Sequence, residues 1–253
     1  MSLAATARDR GLVWPTLAAA VALVVLLALG TWQWQRMQWK EALIATIAAR
    51  ITAPPVPLAE AERRMRGGEP IDYLRVAVSG RFLPDRERHY WTAGPAGPGW
   101  HIYAPLALDD GRILIVNRGF VPDARRDPAT RPEPTGDRRE IVGLLRSPEV
   151  KGTFTPDNNE PRNIWYWRDL DGMARSMLGK DAAQSLPFFL EAERRAAGSP
   201  APDGVPEGGA TRLALPNNHL QYAMTWYGLA LTLLGVYVAF VRSRCSAPRP
   251  GRS

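Results

Sequence analysis

Reactive side chains are scarce in this chain of 253 residues, which has one cysteine and three histidines. The cysteine, Cys245, lies near the C-terminus. The long central region therefore has no disulfide and no thiolate metal site of its own. There is no G-x-S-x-G elbow, no H-E-x-x-H helix, no phosphate loop and no dinucleotide fingerprint, so the enzyme classes announced by those motifs are excluded. A triad recognised by geometry alone is the one enzymatic reading left, a hydrolase or transferase.

Charge is missing from two stretches, residues 11–35 and residues 213–241. A helix that crosses a bilayer needs roughly 20 apolar residues, and both stretches are long enough. The expected organisation is a tail (1–10), a first span (11–35), a polar domain (36–212), a second span (213–241) and a basic tail (242–253). A cleaved signal peptide is the alternative for the first stretch, with Arg8 and Arg10 as its charged start. Against it stand the length of the apolar run and the Trp32, Trp34 and Trp39 that follow, because tryptophan collects at bilayer interfaces.

The net charge is +7. Much of the excess sits in the tails, and the central arginines are interleaved with acids, which is no nucleic-acid footprint. Arg242, Arg244, Arg249 and Arg252 follow the second span without an acid. Positive charge marks the cytoplasmic side, so both termini are expected there and the polar domain outside. With ten residues ahead of the first span, a bacterial plasma membrane is the expected compartment.

The fold class expected is α+β: two transmembrane helices flanking an antiparallel, β-rich extracytoplasmic domain with one or two helices. Helical periodicity continues over residues 36–50, with Trp39, Leu43 and Ile47 on one face, and Ala53-Pro54-Pro55 ends it. Alternation places strands at 73–82, 89–92, 101–108, 112–121, 139–146 and 186–191, and a further short one at 164–167. The run Gly94-Pro95-Ala96-Gly97-Pro98-Gly99, residues 123–136 and residues 199–209 read as loops. Residues 169–178 read as a helix with Leu170, Met173, Ala174 and Met177 on its apolar side. The sheet is expected to curl towards a barrel.

His89 and His101 have no ligand-type neighbours and read as packed histidines. Asp157-Asn158-Asn159-Glu160 reads as a polar turn rather than a calcium loop. The aromatic stretch 164–167 fits either a packed core segment or a docking surface.

Asn217-Asn218-His219-Leu220-Gln221-Tyr222 opens the second span. A polar, ligand-capable side chain at a membrane boundary invites a functional reading. Asn217 or Asn218 can cap the helix, which puts His219 in its first turn, where the helix dipole disfavours a cationic imidazole. Steps of three and four lead to Tyr222, Ala223, Trp226 and Ala230, a stripe that could leave room for a flat ligand between two helices. Trp32, Arg36 and Trp39 share a side of the first span. A planar macrocycle suits this set, with iron near His219 and carboxylates near Arg36. The same residues also suit interfacial anchors, and spacing does not choose between the two.

Several segments together resemble one family. They are Leu29-Gly30-Thr31-Trp32-Gln33 with Arg36, Trp39 and Lys40; Val116-Asn117-Arg118-Gly119-Phe120-Val121-Pro122; Pro156 to Asn159 with Asn163 to Asp169; and Asn218-His219-Leu220-Gln221-Tyr222-Ala223 with Thr225-Trp226-Tyr227-Gly228. In this order, from Leu29 to Ala230, the chain resembles the Surfeit locus protein 1 family. The resemblance implies a membrane-bound assembly factor, not an enzyme, for heme–copper cytochrome c oxidase. It implies heme a as transient cargo, with the oxidase catalytic subunit, heme a synthase and the lipid membrane as partners. His219 is then the axial ligand, and Tyr222, Trp226, Trp32 and Arg36 are candidate cargo contacts. Some relatives have histidines where this chain has Ile164 and Tyr166, so ligation through that loop is not expected. A heme-free scaffold that docks oxidase subunits through its outer domain is the competing expectation.

Overall fold

The computed structural model describes residues 11–94, 97–131, 137–193, 206, 208–209 and 217–246. The N-terminal tail, Pro216, most of the 199–209 linker and the end of the basic tail lie outside these residues, as do parts of the loops expected at 94–99 and 123–136. The chain divides into two compact units, residues 1–46 with 214–253, and residues 47–213.

Two long helices account for the first unit. Helix α1 (Val13–Thr52) has 40 residues, about 60 Å at 1.5 Å per residue. It therefore joins the expected first span and the following amphipathic stretch in one rod. Over that stretch the buried positions are Met37 and Ile47, while Trp39 and Leu43 are exposed, so of the expected apolar face Ile47 alone is covered. The last helix, α4 (His219–Ser246), has 28 residues. Both helices are long and apolar enough to cross a membrane, and only 6% of the most apolar window of each is buried. A core helix of a soluble domain would be covered instead.

The second unit is built on a seven-stranded sheet. Its strands are β1 (Val56–Pro57), β2 (Arg75–Phe82), β3 (Arg88–Gly94), β4 (Gly97–Leu108), β5 (Ile113–Pro122), β6 (Arg139–Arg146) and β7 (Ser185–Ala192). The order is β1-β2-β6-β7-β5-β4-β3, and β2 also pairs with β4, which closes a ring. The curl towards a barrel is thus borne out. The sheet is antiparallel except where β1 meets β2 and β5 meets β7. A parallel pair needs a crossover connection; here β6 and helix α3 (Leu170–Leu178) lie between β5 and β7 in the chain.

Alternation along the strands separates two cores. Val76, Val78, Leu106, Leu114, Val116, Leu145, Phe188 and Leu190 form one. Ile113, Ile115 and Phe189 project from the other face and pack with Met173, Met177 and Leu178 of α3. The first half of β5, Ile113 to Val116, therefore reads as an unbroken apolar run, because both of its faces are covered. Helix α3 begins where expected: the Asp169 carboxylate accepts from Gly172 N at 2.9 Å, an N-cap that satisfies an otherwise orphaned donor. A Cβ at Gly172 would meet that carboxylate at 2.5 Å, so a side chain there would displace the cap.

Three local expectations change. Helix α2 (Leu58–Arg66) was not anticipated: Leu58, Ala61 and Met65 meet the core at helical spacing, but three such positions in nine residues are a weak local signal. Strands β3 and β4 pair out to Gly94 and Gly97, so Pro98 and Gly99 belong to a strand rather than a loop. Gly97 has φ 110°, a conformation that suits a tight hairpin. Residues 164–167 form no strand, only isolated bridges at Ile164 and Trp165.

Candidate functional site

The polar start of α4 lies against α1 within the helix pair. His219 is the first helical residue, as its place after two asparagines suggests. Its Nδ1 lies 2.7 Å from Oε1 of Gln33. An amide oxygen can only accept, so Nδ1 carries the proton of this bond. In the neutral ring that leaves the lone pair on Nε2. A partner on one ring nitrogen fixes the tautomer and the plane of the other, the arrangement typical of metal-ligating histidines. The asparagine cap is not formed by Asn217, whose buried side-chain oxygen has no hydrogen-bond partner.

Two further levels join the helices. The Tyr227 hydroxyl lies 3.1 Å from Oγ1 of Thr31, and the Tyr237 hydroxyl lies 2.6 Å from Oγ1 of Thr16. A Cβ at Gly30 would come within 2.8 Å of the Tyr227 ring, so the helices touch closely there. Ala223 and Ala230 are buried. The small residues of the stripe therefore pack, and the seam at Gly30 and Tyr227 holds no slot for a flat ligand.

The aromatic members of the stripe part company with the alanines. Tyr222 is 55% exposed and Trp32 is 54% exposed, so both rings stand on outer surfaces. Trp226 is half-buried. The Arg36 guanidinium lies over the Trp39 ring, 4.0 Å from its centroid. Of the five expected residues, none of the other four is recorded in a hydrogen bond with His219; its partner is Gln33, which carried no role in the sequence reading. The available signal was a carboxamide at the end of an otherwise apolar span, since polar groups in membrane helices are retained for a reason.

The β-rich unit holds its own polar centres. Glu191 is buried on β7. It accepts from the Tyr103 hydroxyl at 3.1 Å, from Asn117 Nδ2 at 2.6 Å and from Arg168 Nη1 at 3.3 Å. Burial and the neighbouring Glu191 push the Tyr103 hydroxyl well above its ordinary range. His101, 3.3 Å from Asn117, is held below the usual histidine value, mainly by burial. His89 donates Nε2–H to Glu87 at 2.7 Å and accepts at Nδ1 from Arg126 Nε at 3.2 Å, because arginine has donors only. With both ring nitrogens engaged, His89 is a packed histidine, as expected. No group of three or more potential metal ligands occurs among the described residues.

The aromatic segment packs against the β-rich unit, the first of the two readings offered for it: Ile164 lies against Trp100, Ile102 and Val121. Trp165 is fully buried. Its backbone donates to His89 O at 3.0 Å and accepts from Trp91 N at 2.8 Å. This segment covers the outer edge of β3, which would otherwise offer unpaired groups to another chain. Asn158 Oδ1 accepts from Tyr166 N at 2.8 Å, so the polar turn before it braces the cover.

Similarity to known proteins agrees with this architecture. The SURF1 family pattern matches residues 20–231. The chain is 36% identical to Surfeit locus protein 1 of Xenopus tropicalis over 244 residues, covering 89% of this chain and 74% of that one. It is 35% identical to a SURF1-like protein of Monosiga brevicollis, covering 99% and 97%. A SURF1-like protein of the bacterium Rickettsia felis is 27% identical, with 90% and 96% covered. Two apolar helices around a β-rich domain, with a match running from one helix to the other, show that the chain belongs to the SURF1 family.

Proposed function

We propose that this protein is a membrane-anchored assembly factor for heme–copper cytochrome c oxidase, not an enzyme, and that it binds heme a and helps deliver it to the catalytic subunit, next to heme a synthase. The observation that carries the heme reading is the 2.7 Å bond between His219 Nδ1 and Gln33. It orients the ring and leaves Nε2 to an incoming metal. Heme iron accepts such an imidazole as an axial ligand. The donor set fits. The close contact of Gly30 with Tyr227 favours a cargo held outside the seam, and the exposed rings of Trp32 and Tyr222 are the surfaces that would meet it. A single axial ligand on an outer surface suits cargo that must leave again. The positive tail fits cytoplasmic termini in a bacterial plasma membrane, with the β-rich domain on the periplasmic side.

The test is to co-express the protein with a heme a synthesis pathway and purify it. His219→Ala is expected to lose at least tenfold in bound heme while inserting and folding normally. A His219→Ala preparation with the wild-type spectrum and stoichiometry would remove the ligation role. The closed seam favours one alternative, a heme-free scaffold that docks oxidase subunits. Under that reading His219→Ala still co-purifies with oxidase subunits, and neither preparation contains heme.

A further inference from the structure

A second concave site lies wholly in the β-rich unit, where the segment leading into β3 meets β5 and the turn after it. The cavity is about 300 Å³ and is lined by residues that include four arginines, Arg86, Arg88, Arg118 and Arg131, against two acids, Asp85 and Glu87. That volume is at the small end for ligand pockets. Arg131 and Arg118 are nearly enclosed, with 3% and 13% of their side chains exposed. A buried guanidinium is retained where its charge is paired. Glu87 lies among them: Arg131 donates to it, His89 donates to it at 2.7 Å, and Arg118, whose guanidinium also lies over the Phe82 ring, has Nη1 3.9 Å from its Oε2. The lining thus carries more guanidiniums than carboxylates, and two of those guanidiniums are nearly enclosed.

The walls are held in advance. Asn163 Nδ2 donates to Glu87 O at 3.1 Å, and its Oδ1 accepts from His89 N at 3.2 Å. Arg88 Nε donates to Ser176 Oγ at 2.8 Å. Asp85 and Asn163, at φ 57° and 53°, both take the left-handed backbone that non-glycine residues seldom adopt, and both line this cavity. Strained backbone that the surroundings over-determine gathers where a ligand is to be met. We propose that this cavity binds a small oxyanion, a phosphate or carboxylate group, through Arg118 with Arg86 at its mouth. Planar guanidiniums recognise such groups by paired N–H donors, and the excess of positive charge supplies the attraction. This assignment is independent of the heme reading, since all of its residues lie in the β-rich unit.

The test is calorimetric titration of the full-length protein in detergent with sodium phosphate, and separately with sodium succinate, each against sodium chloride of equal ionic strength. Binding of either anion at millimolar concentration or tighter is expected, and the tighter of the two identifies the group. Arg118→Gln should weaken it at least tenfold and Arg86→Gln about threefold, whereas Glu87→Gln should tighten it by removing the competing carboxylate. Circular dichroism melting checks that each variant folds. Arg86 is exposed, so Arg86→Gln decides the question if the other two do not fold. Absence of binding by the wild-type protein, or unchanged affinity in the folded variants, overturns the proposal.

Discussion

In the helix pair, polar side chains meet at three separate levels, Thr16 with Tyr237, Thr31 with Tyr227 and Gln33 with His219. In the β-rich unit they converge instead, and Glu191 alone gathers Tyr103, Asn117 and Arg168. The contrast follows from the solvent each unit meets. Between membrane helices, hydrogen bonds average about 0.6 kcal/mol, and close packing of small residues carries the association. Inside the β-rich unit, a carboxylate removed from water must be fully paired or it unfolds its surroundings. Loss of one partner should therefore disable the second unit and merely loosen the first. Single substitutions in the helix pair can then alter function while the protein remains folded.

The largest effect expected from that contrast is at Glu191. Glu191→Ala leaves a buried hydroxyl and an amide without their acceptor, while Arg168 keeps its bond to Glu149; about 1–3 kcal/mol is expected for each unpaired group, read by urea unfolding of the detergent-solubilised protein. A loss below about 1 kcal/mol, the range of a surface pair, would erase the distinction between the units. Next comes Gly30→Leu, which forces the Tyr227 ring away. About 1–3 kcal/mol is expected for overpacking of this kind, with a measurable increase in the distance between spin labels on α1 and α4. An unchanged distance would mean that the contact is not what holds the helices.

A smaller, pH-dependent effect belongs to His101. Its folded value is depressed, chiefly by burial, so below the unfolded value of about 6.5 the unfolded chain binds the proton more readily. Stability is therefore full above that pH and falls as the pH drops towards the folded value. His101→Gln should flatten this limb of the stability–pH curve, and a limb of unchanged slope would assign it to other groups. The smallest effect expected is at Tyr237→Phe, about 0.6 kcal/mol, within reach of a double-mutant cycle with Thr16→Val. A coupling several times larger would mean that polar contacts dominate the helix pair as well.

Much of the fold was legible because its signals are local. The two uncharged runs, the alternation of Val76 and Val78 with polar neighbours, and Asp169 ahead of an apolar helical face all became the expected elements. The histidine at the start of α4 was legible for the same reason. Helix α2 was not, because short amphipathic segments with few apolar residues rest on tertiary contact rather than on their own pattern. Proline and glycine near residue 98 suggested a loop, yet pairing with β3 drew them into a strand.

The amino-acid sequence by itself determined which segments are apolar enough for lipid, where strands and helices begin, and that an imidazole stands at a helix start. These follow from composition and periodicity within a few residues. Only the tertiary structure decided that β2 closes on β4, that β5 and β7 run parallel, and that Glu87 lies among Arg118, Arg131 and His89. It likewise chose Gln33, 186 residues away, as the partner of His219. Such choices depend on side chains far apart in the chain, whose encounter is set by how whole elements pack and not by any local preference.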